Sequence, residues 1–218
     1  MSDTDASLSL KAVTADLRDL ARKSDRGFRA SQDQLVQLRA LTKQVEAYNT
    51  EEAPVDSSQL LGRWSLTFTD AADVLSLKIL PAEVGEIAQT LEVARTPEAE
   101  LVAFNSVELQ PLGSAYLSAF GLRTASSYTI RGKCKKLSAS RVSLVFDGGT
   151  LQPEFQLLKQ GFEPKLPAIG GELPLPVVQA LQGVIGDRVF LDTTFLDEDL
   201  RVARGPGQEI WVLSRTMS

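Results

Sequence analysis

Apolar residues recur at helical spacing through Ser9–Lys23, where Leu10, Val13, Leu17, Leu20 and Ala21 fall on one face. Arg26-Gly27-Phe28 interrupts the period. Beyond it, Ser31 and Gln34 stand in the S-x-x-Q relation of a capping box ahead of Leu35, Leu38, Leu41, Val45 and Tyr48. The pattern predicts a helical hairpin ending near Asn49. A linker over Glu51–Ser58, carrying Pro54 and three acids, follows it. Two uses are open to the amphipathic stripe: packing across a neighbouring core, or meeting a membrane or partner surface.

From Leu60 the period changes to two. Trp64, Leu66 and Phe68 alternate with Ser65, Thr67 and Thr69, the pattern of a half-buried antiparallel strand. Further strands are expected at Gly85–Val93, Glu100–Leu109, Ser126–Cys134, Arg141–Phe146, Arg188–Leu196, Leu200–Arg204 and Gln208–Arg215. Asp147-Gly148-Gly149 and Arg204-Gly205-Pro206-Gly207 read as turns between them. About eight short strands suggest a barrel or a sandwich, and partly apolar residues on both faces favour the barrel. The fold expected is thus mainly β: a small antiparallel barrel preceded by a helical hairpin. Residues 1–58 would form the helical segment and linker, and 59–218 the barrel domain. Gly161–Pro176 holds four prolines and three glycines, which exclude a helix or a central strand. Val177–Ile185 reads as a short amphipathic helix after it. A lid, a membrane contact and a plain connection are all open for this region.

Charge and composition narrow the function. A net charge of −5 argues against nucleic acid, whose phosphates need clustered Lys and Arg. No apolar run approaches the ~18–20 residues of a membrane-spanning helix. The complete absence of histidine removes Ser-His-Asp and Cys-His catalysis and most zinc and iron sites. The single cysteine, Cys134, allows no internal disulfide and suits a reducing compartment. Its neighbours Lys133, Lys135 and Lys136 favour a thiolate, against the plainer reading of a strand cysteine beside solvated lysines. Met1–Ser9 is acidic and polar, unlike a secretory signal.

Known catalytic signatures are missing from the sequence: no P-loop, no G-x-S-x-G and no EF-hand loop. Asp192 with Asp197-Glu198-Asp199 forms one acidic cluster, read first as solvated turn residues and second as a cation or acid–base site. The informative features are different. Gly62 and Trp64 form a Gly-x-Trp on the first strand, where glycine permits close backbone approach and the indole plugs a barrel end. A late arginine lying across that ring is expected, with Arg201 and Arg204 as candidates. Gln89 shares a strand face with Ile87, Leu91 and Val93, so it needs a partner: neighbouring backbone or the polar head of a ligand.

These residues resemble the plastid lipid-associated protein family of plants, algae and cyanobacteria, the plastid fibrillins. Leu60-Leu61-Gly62-Arg63-Trp64 with Leu66-Thr67-Phe68-Thr69 is similar to the family's opening strand, with Phe68 where tyrosine is common. Arg26-Gly27-Phe28 resembles its helical preface, and Gly85, Ile87 and Gln89 its second strand. The longest match runs from Thr193 through Asp199, Arg201 and Arg204 to Gly205, then Ile210-Trp211-Val212-Leu213. The resemblance implies a lipocalin-like barrel in plastids, or thylakoid-associated in a cyanobacterium, tied to prenylquinones, carotenoids and fatty acyl lipids. It makes Asp199, Arg201 and Arg204 lipid-site candidates, beside Gln89. The function expected is non-enzymatic lipid binding or transport, without cofactor or metal. The alternative is a structural coat of plastoglobules or thylakoids, or a scaffold for a prenylquinone-synthesising enzyme.

Overall fold

A computed structural model describes residues 3–79, 82–95, 99–111, 122–157, 171–172 and 189–216. The hairpin is made by α1 (Asp3–Lys23) and α2 (Gln32–Glu46). Both halves of the capping box form: the Ser31 hydroxyl accepts the Gln34 backbone N–H at 3.2 Å, and the Gln34 side-chain Oε1 accepts the Ser31 backbone N–H at 2.9 Å. The break between the helices is a docking corner. Gly27 has φ +105°, and a Cβ there would lie 2.2 Å from the Thr69 carbonyl oxygen, so only glycine lets the corner seat on the barrel. Arg26 beside it donates to the Val84 carbonyl at 3.0 Å and also to that of Gly85.

The strands are β1 (Gly62–Thr69), β2 (Ala82–Val93), β3 (Leu101–Pro111), β4 (Leu122–Lys136), β5 (Arg141–Leu157), β6 (Gly171–Glu172), β7 (Val189–Leu196), β8 (Leu200–Arg204) and β9 (Ile210–Arg215). They pair antiparallel in the order β4-β3-β2-β1-β9-β8-β7-β5-β6, and β4 pairs with β5 to close the ring. Eight strands make the barrel, with β6 attached to the middle of β5. A short helix α3 (Ala72–Leu75) and a 3-10 turn (Ser76–Ile79) link β1 to β2.

Two cores result. The interior holds Trp64, Leu91, Ala103, Cys134, Leu144 and Leu213. The second core, on the outer wall, joins Leu17, Ala21, Leu38 and Val45 of the hairpin to Phe68, Phe195, Leu200, Val202, Ile210 and Val212. The helical stripe therefore packs across the barrel. Phe68 does not share a face with Trp64 and Leu66, because a bulge between Leu66 and Phe68 turns it outward onto the helices. An equivalent shift between Thr193 and Phe195 turns Phe195 the same way. Val93 keeps the face of Ile87, Gln89 and Leu91, opposite Leu101, but stands 62% exposed at the strand end.

Asp147-Gly148-Gly149 is not a turn. It runs inside β5, and the register against β4 shifts where Phe146 and Gly148 face Gly132 and Arg131. The Arg131 guanidinium lies beside Gly148, and its Nε donates to Asp147 at 2.8 Å. Glycine here serves a bulge in a long strand rather than a hairpin. Arg204-Gly205-Pro206-Gly207 does turn the chain between β8 and β9. Val177–Ile185 and most of Gly161–Pro176 lie outside the described residues.

Candidate functional site

One barrel end is closed by Gly62, Trp64 and an arginine. Trp64 is fully buried and its indole N–H donates to the Leu60 carbonyl at 2.9 Å. The arginine over its ring is Arg215 on β9, 4.2 Å from the ring centroid, and not Arg201 or Arg204. Register explains the difference, since Trp64 pairs directly with Arg215 while β8 lies one strand further away. Arg215 also donates to the carbonyls of Leu61 at 2.9 Å, Glu198 at 2.5 Å and Gln59. Gly62 makes this possible. It sits at φ +105°, and a Cβ there would approach the Arg215 Nη1 to 3.1 Å.

Toward the other end the interior is open, with a cavity of about 350 Å³. Its walls are mainly apolar, including Ile87, Val107, Ile130, Phe146, Leu191 and Trp211. Asp73, Val74, Ser76 and Leu77, from α3 and the following turn, border it. Such a chamber suits a long apolar molecule of modest width.

Its few polar groups are ordered. Gln89, 8% exposed, accepts a hydrogen bond from Arg201 Nη1 at 2.7 Å on its carbonyl oxygen. Its NH₂ donates to the Asn105 Oδ1 at 2.8 Å. Gln89 and Asn105 line the cavity, and Arg201 lies behind them, 1% exposed. Among the described residues no carboxylate pairs with Arg201, and its Nε has no partner. Burial pulls the Arg201 guanidinium down to about 10, which leaves it charged at neutral pH. On the wall, the buried Tyr128 hydroxyl has no partner, and burial raises its pKa. Burial likewise pushes the Cys134 thiol up to about 11, against the opposing pull of Arg201. The lysines flanking Cys134 in sequence do not activate it: the residue is 1% exposed in the interior core.

The remaining candidates sit elsewhere. Asp199 is exposed at the β7–β8 turn, where the Asp197 carboxylate accepts the backbone N–H groups of Asp199 and Leu200 at 2.8 and 2.6 Å. Asp192 pairs with Arg141 at 2.7 Å. Arg204 faces outward and grips Glu46 of α2 through two hydrogen bonds of 2.7 and 2.8 Å. Thus Gln89 and Arg201 come together at the cavity, and Asp199 and Arg204 do not join them. Sequence reasoning missed Arg215, Asn105 and Tyr128. A signal existed for the first, because Arg215 continues the inward alternation of Trp211 and Leu213.

Known proteins resemble this chain over most of its length. Plastoglobulin-1, chloroplastic, of Pisum sativum is 28% identical over 95% of this chain and 62% of its own length. Plastid lipid-associated protein 3, chloroplastic, of Brassica campestris is 27% identical over 91% of this chain and 59% of its own. The chromoplast-specific carotenoid-associated protein of Cucumis sativus is 28% identical over 87% and 63%. The chain spans about three-fifths of the length of these relatives. No solved structure gives a significant match. The PAP_fibrillin family matches residues 11–214, from the first helix to the last strand, and the chain belongs to that family.

Proposed function

We propose that this protein is a plastid lipid-associated, non-catalytic barrel that holds the apolar body of a prenylquinone, carotenoid or fatty acyl lipid in its interior. The observation carrying this reading is the 350 Å³ apolar cavity, with a small polar group at Gln89 and Asn105. The names of the relatives, chloroplastic or chromoplastic and associated with lipid or carotenoid, support it. Native mass spectrometry after incubation with a panel of these lipids tests it. One lipid is expected per chain, and its loss in Val107→Trp, which fills the cavity. Failure of every lipid on the panel to bind would end the carrier reading.

A second reading, a coat on plastoglobules or thylakoids or a scaffold for a biosynthetic enzyme, draws on Ile79. This side chain is 79% exposed, in the turn that borders the cavity. The apolar face of the hairpin is already engaged on the barrel, so contact with lipid would fall to the Ile79 side. Flotation with plastid-lipid vesicles separates the readings: a coat floats, and Ile79→Ser weakens it even when the cavity is filled by Val107→Trp.

A further inference from the structure

The polar chain behind the cavity has a fixed direction. Arginine donates and never accepts, so Arg201 obliges Gln89 to turn its carbonyl oxygen inward to receive Nη1. The Gln89 NH₂ must then point the other way, and it donates to the Asn105 carbonyl oxygen. With that oxygen engaged, Asn105 presents its NH₂ outward, and this group has no partner among the described residues. Asn105 lines the cavity. The buried charge thereby sets the sense of two amides and converts them into a relay ending in a donor.

A second donor faces the same chamber. The Tyr128 hydroxyl is buried without a partner and Tyr128 lines the cavity. Tyr128 pairs with Val107 and Asn105 with Ile130, so the two are diagonal neighbours on the inward face of β3 and β4. The unsatisfied Tyr128 group costs free energy unless a ligand or water meets it. The positive charge of Arg201, unmatched by any described carboxylate, adds a field favouring electron-rich atoms.

We propose that the cavity selects lipids whose buried end carries a carbonyl-type oxygen, which accepts hydrogen bonds from the Asn105 NH₂ and the Tyr128 hydroxyl. Ketones, aldehydes, quinones, esters and carboxylates satisfy this requirement, and an unfunctionalised hydrocarbon does not. The inference rests on the carrier reading and adds the chemical class of ligand.

A matched pair tests it: methyl undecyl ketone against tridecane, the same chain without the oxygen. Each displaces the neutral fluorophore N-phenylnaphthylamine from the full chain. The ketone is expected to bind more tightly. Asn105→Asp keeps an oxygen for Gln89 but replaces the presented donor with an acceptor, and Tyr128→Phe deletes the other donor. Each substitution should lower the ketone-to-hydrocarbon affinity ratio by about three- to tenfold, the size of one net hydrogen bond. The infrared carbonyl band of the bound ketone should move toward its unbonded frequency in both variants, while circular dichroism verifies the fold. Equal binding of the two compounds, or a ratio unchanged in both variants, overturns the selection and leaves the carrier reading standing. Binding of neither compound, with no displacement of the fluorophore, overturns both.

Discussion

Gly27 and Gly62 share φ +105°, yet they serve different ends of the structure. A Cβ at Gly27 meets the Thr69 backbone, which cannot yield, whereas a Cβ at Gly62 meets the end of the flexible Arg215 side chain. Gly27→Ala should therefore cost more than about 2 kcal/mol and Gly62→Ala about 1–2 kcal/mol, from backbone conformation alone. Urea denaturation checks the order. Cys134 supplies a pH dependence. Its folded pKa of about 11 exceeds the ordinary 9.0, so the folded chain holds the proton more tightly than the unfolded chain does. That contribution is intact below pH 9 and is lost as pH rises toward 11, by roughly 2–3 kcal/mol. Arg201 titrates with the opposite sign, so the informative quantity is the difference between the parent and Cys134→Ala. The decline in stability from pH 9 to pH 11 should be shallower in the variant. Equal slopes would show that the thiol is not what titrates.

At the scale of elements, the hairpin is part of the barrel wall's packing. Leu38 is fully buried beneath it, and Leu38→Ala should destabilise by about 2–5 kcal/mol. Glu46 holds Arg204 and also accepts the Thr194 hydroxyl at 2.6 Å, so Glu46→Ala removes the main acceptor of both and leaves them only the 3.4 Å contacts to the Gln208 and Val202 carbonyls. A loss of about 1–3 kcal/mol is expected, measurable by thermal unfolding. The hairpin and most strands were legible because each has a clean period and a chemical stop, as with Ser31 and Gln34. The faces were less legible. A bulge adds one residue and reverses every side chain beyond it, and neither Thr67 nor Thr194 announces itself as a bulge. Phe68 consequently reads as an interior residue beside Trp64 and Leu66 and lies outside, as does Phe195 beyond its own bulge. Arg204 is a different case, with no bulge: it stands three residues beyond Arg201 in a regular strand, so simple alternation already turns it outward while Arg201 faces in. Asn105 and Tyr128 carry no motif. Their role comes from pairing across strands far apart in sequence, which periodicity within one strand does not encode.

Across the whole molecule, the barrel separates stability from recognition along its axis. At the closed end, Arg215 ties the turn at Gln59–Leu61 to the carbonyl of Glu198 and covers Trp64. None of those residues lines the cavity, whose polar side is formed by Gln89 and Asn105. Arg215→Met removes the charge and the donors but keeps much of the aliphatic cover on the indole. Carbonyls near solvent regain water, so the expected loss is about 1–3 kcal/mol rather than that of a buried ion pair. The affinity for N-phenylnaphthylamine at a temperature where the variant is folded should change less than about threefold, because the walls that contact an apolar ligand are untouched. Val107→Trp should do the reverse, abolishing uptake while the melting temperature moves little, since it fills space that is empty in the parent. Measured together, the two variants ask whether one end can be weakened without the other. A large affinity loss in Arg215→Met would show that the Trp64 plug transmits its position through Gln89, its direct partner across β1 and β2, and that the ends are coupled.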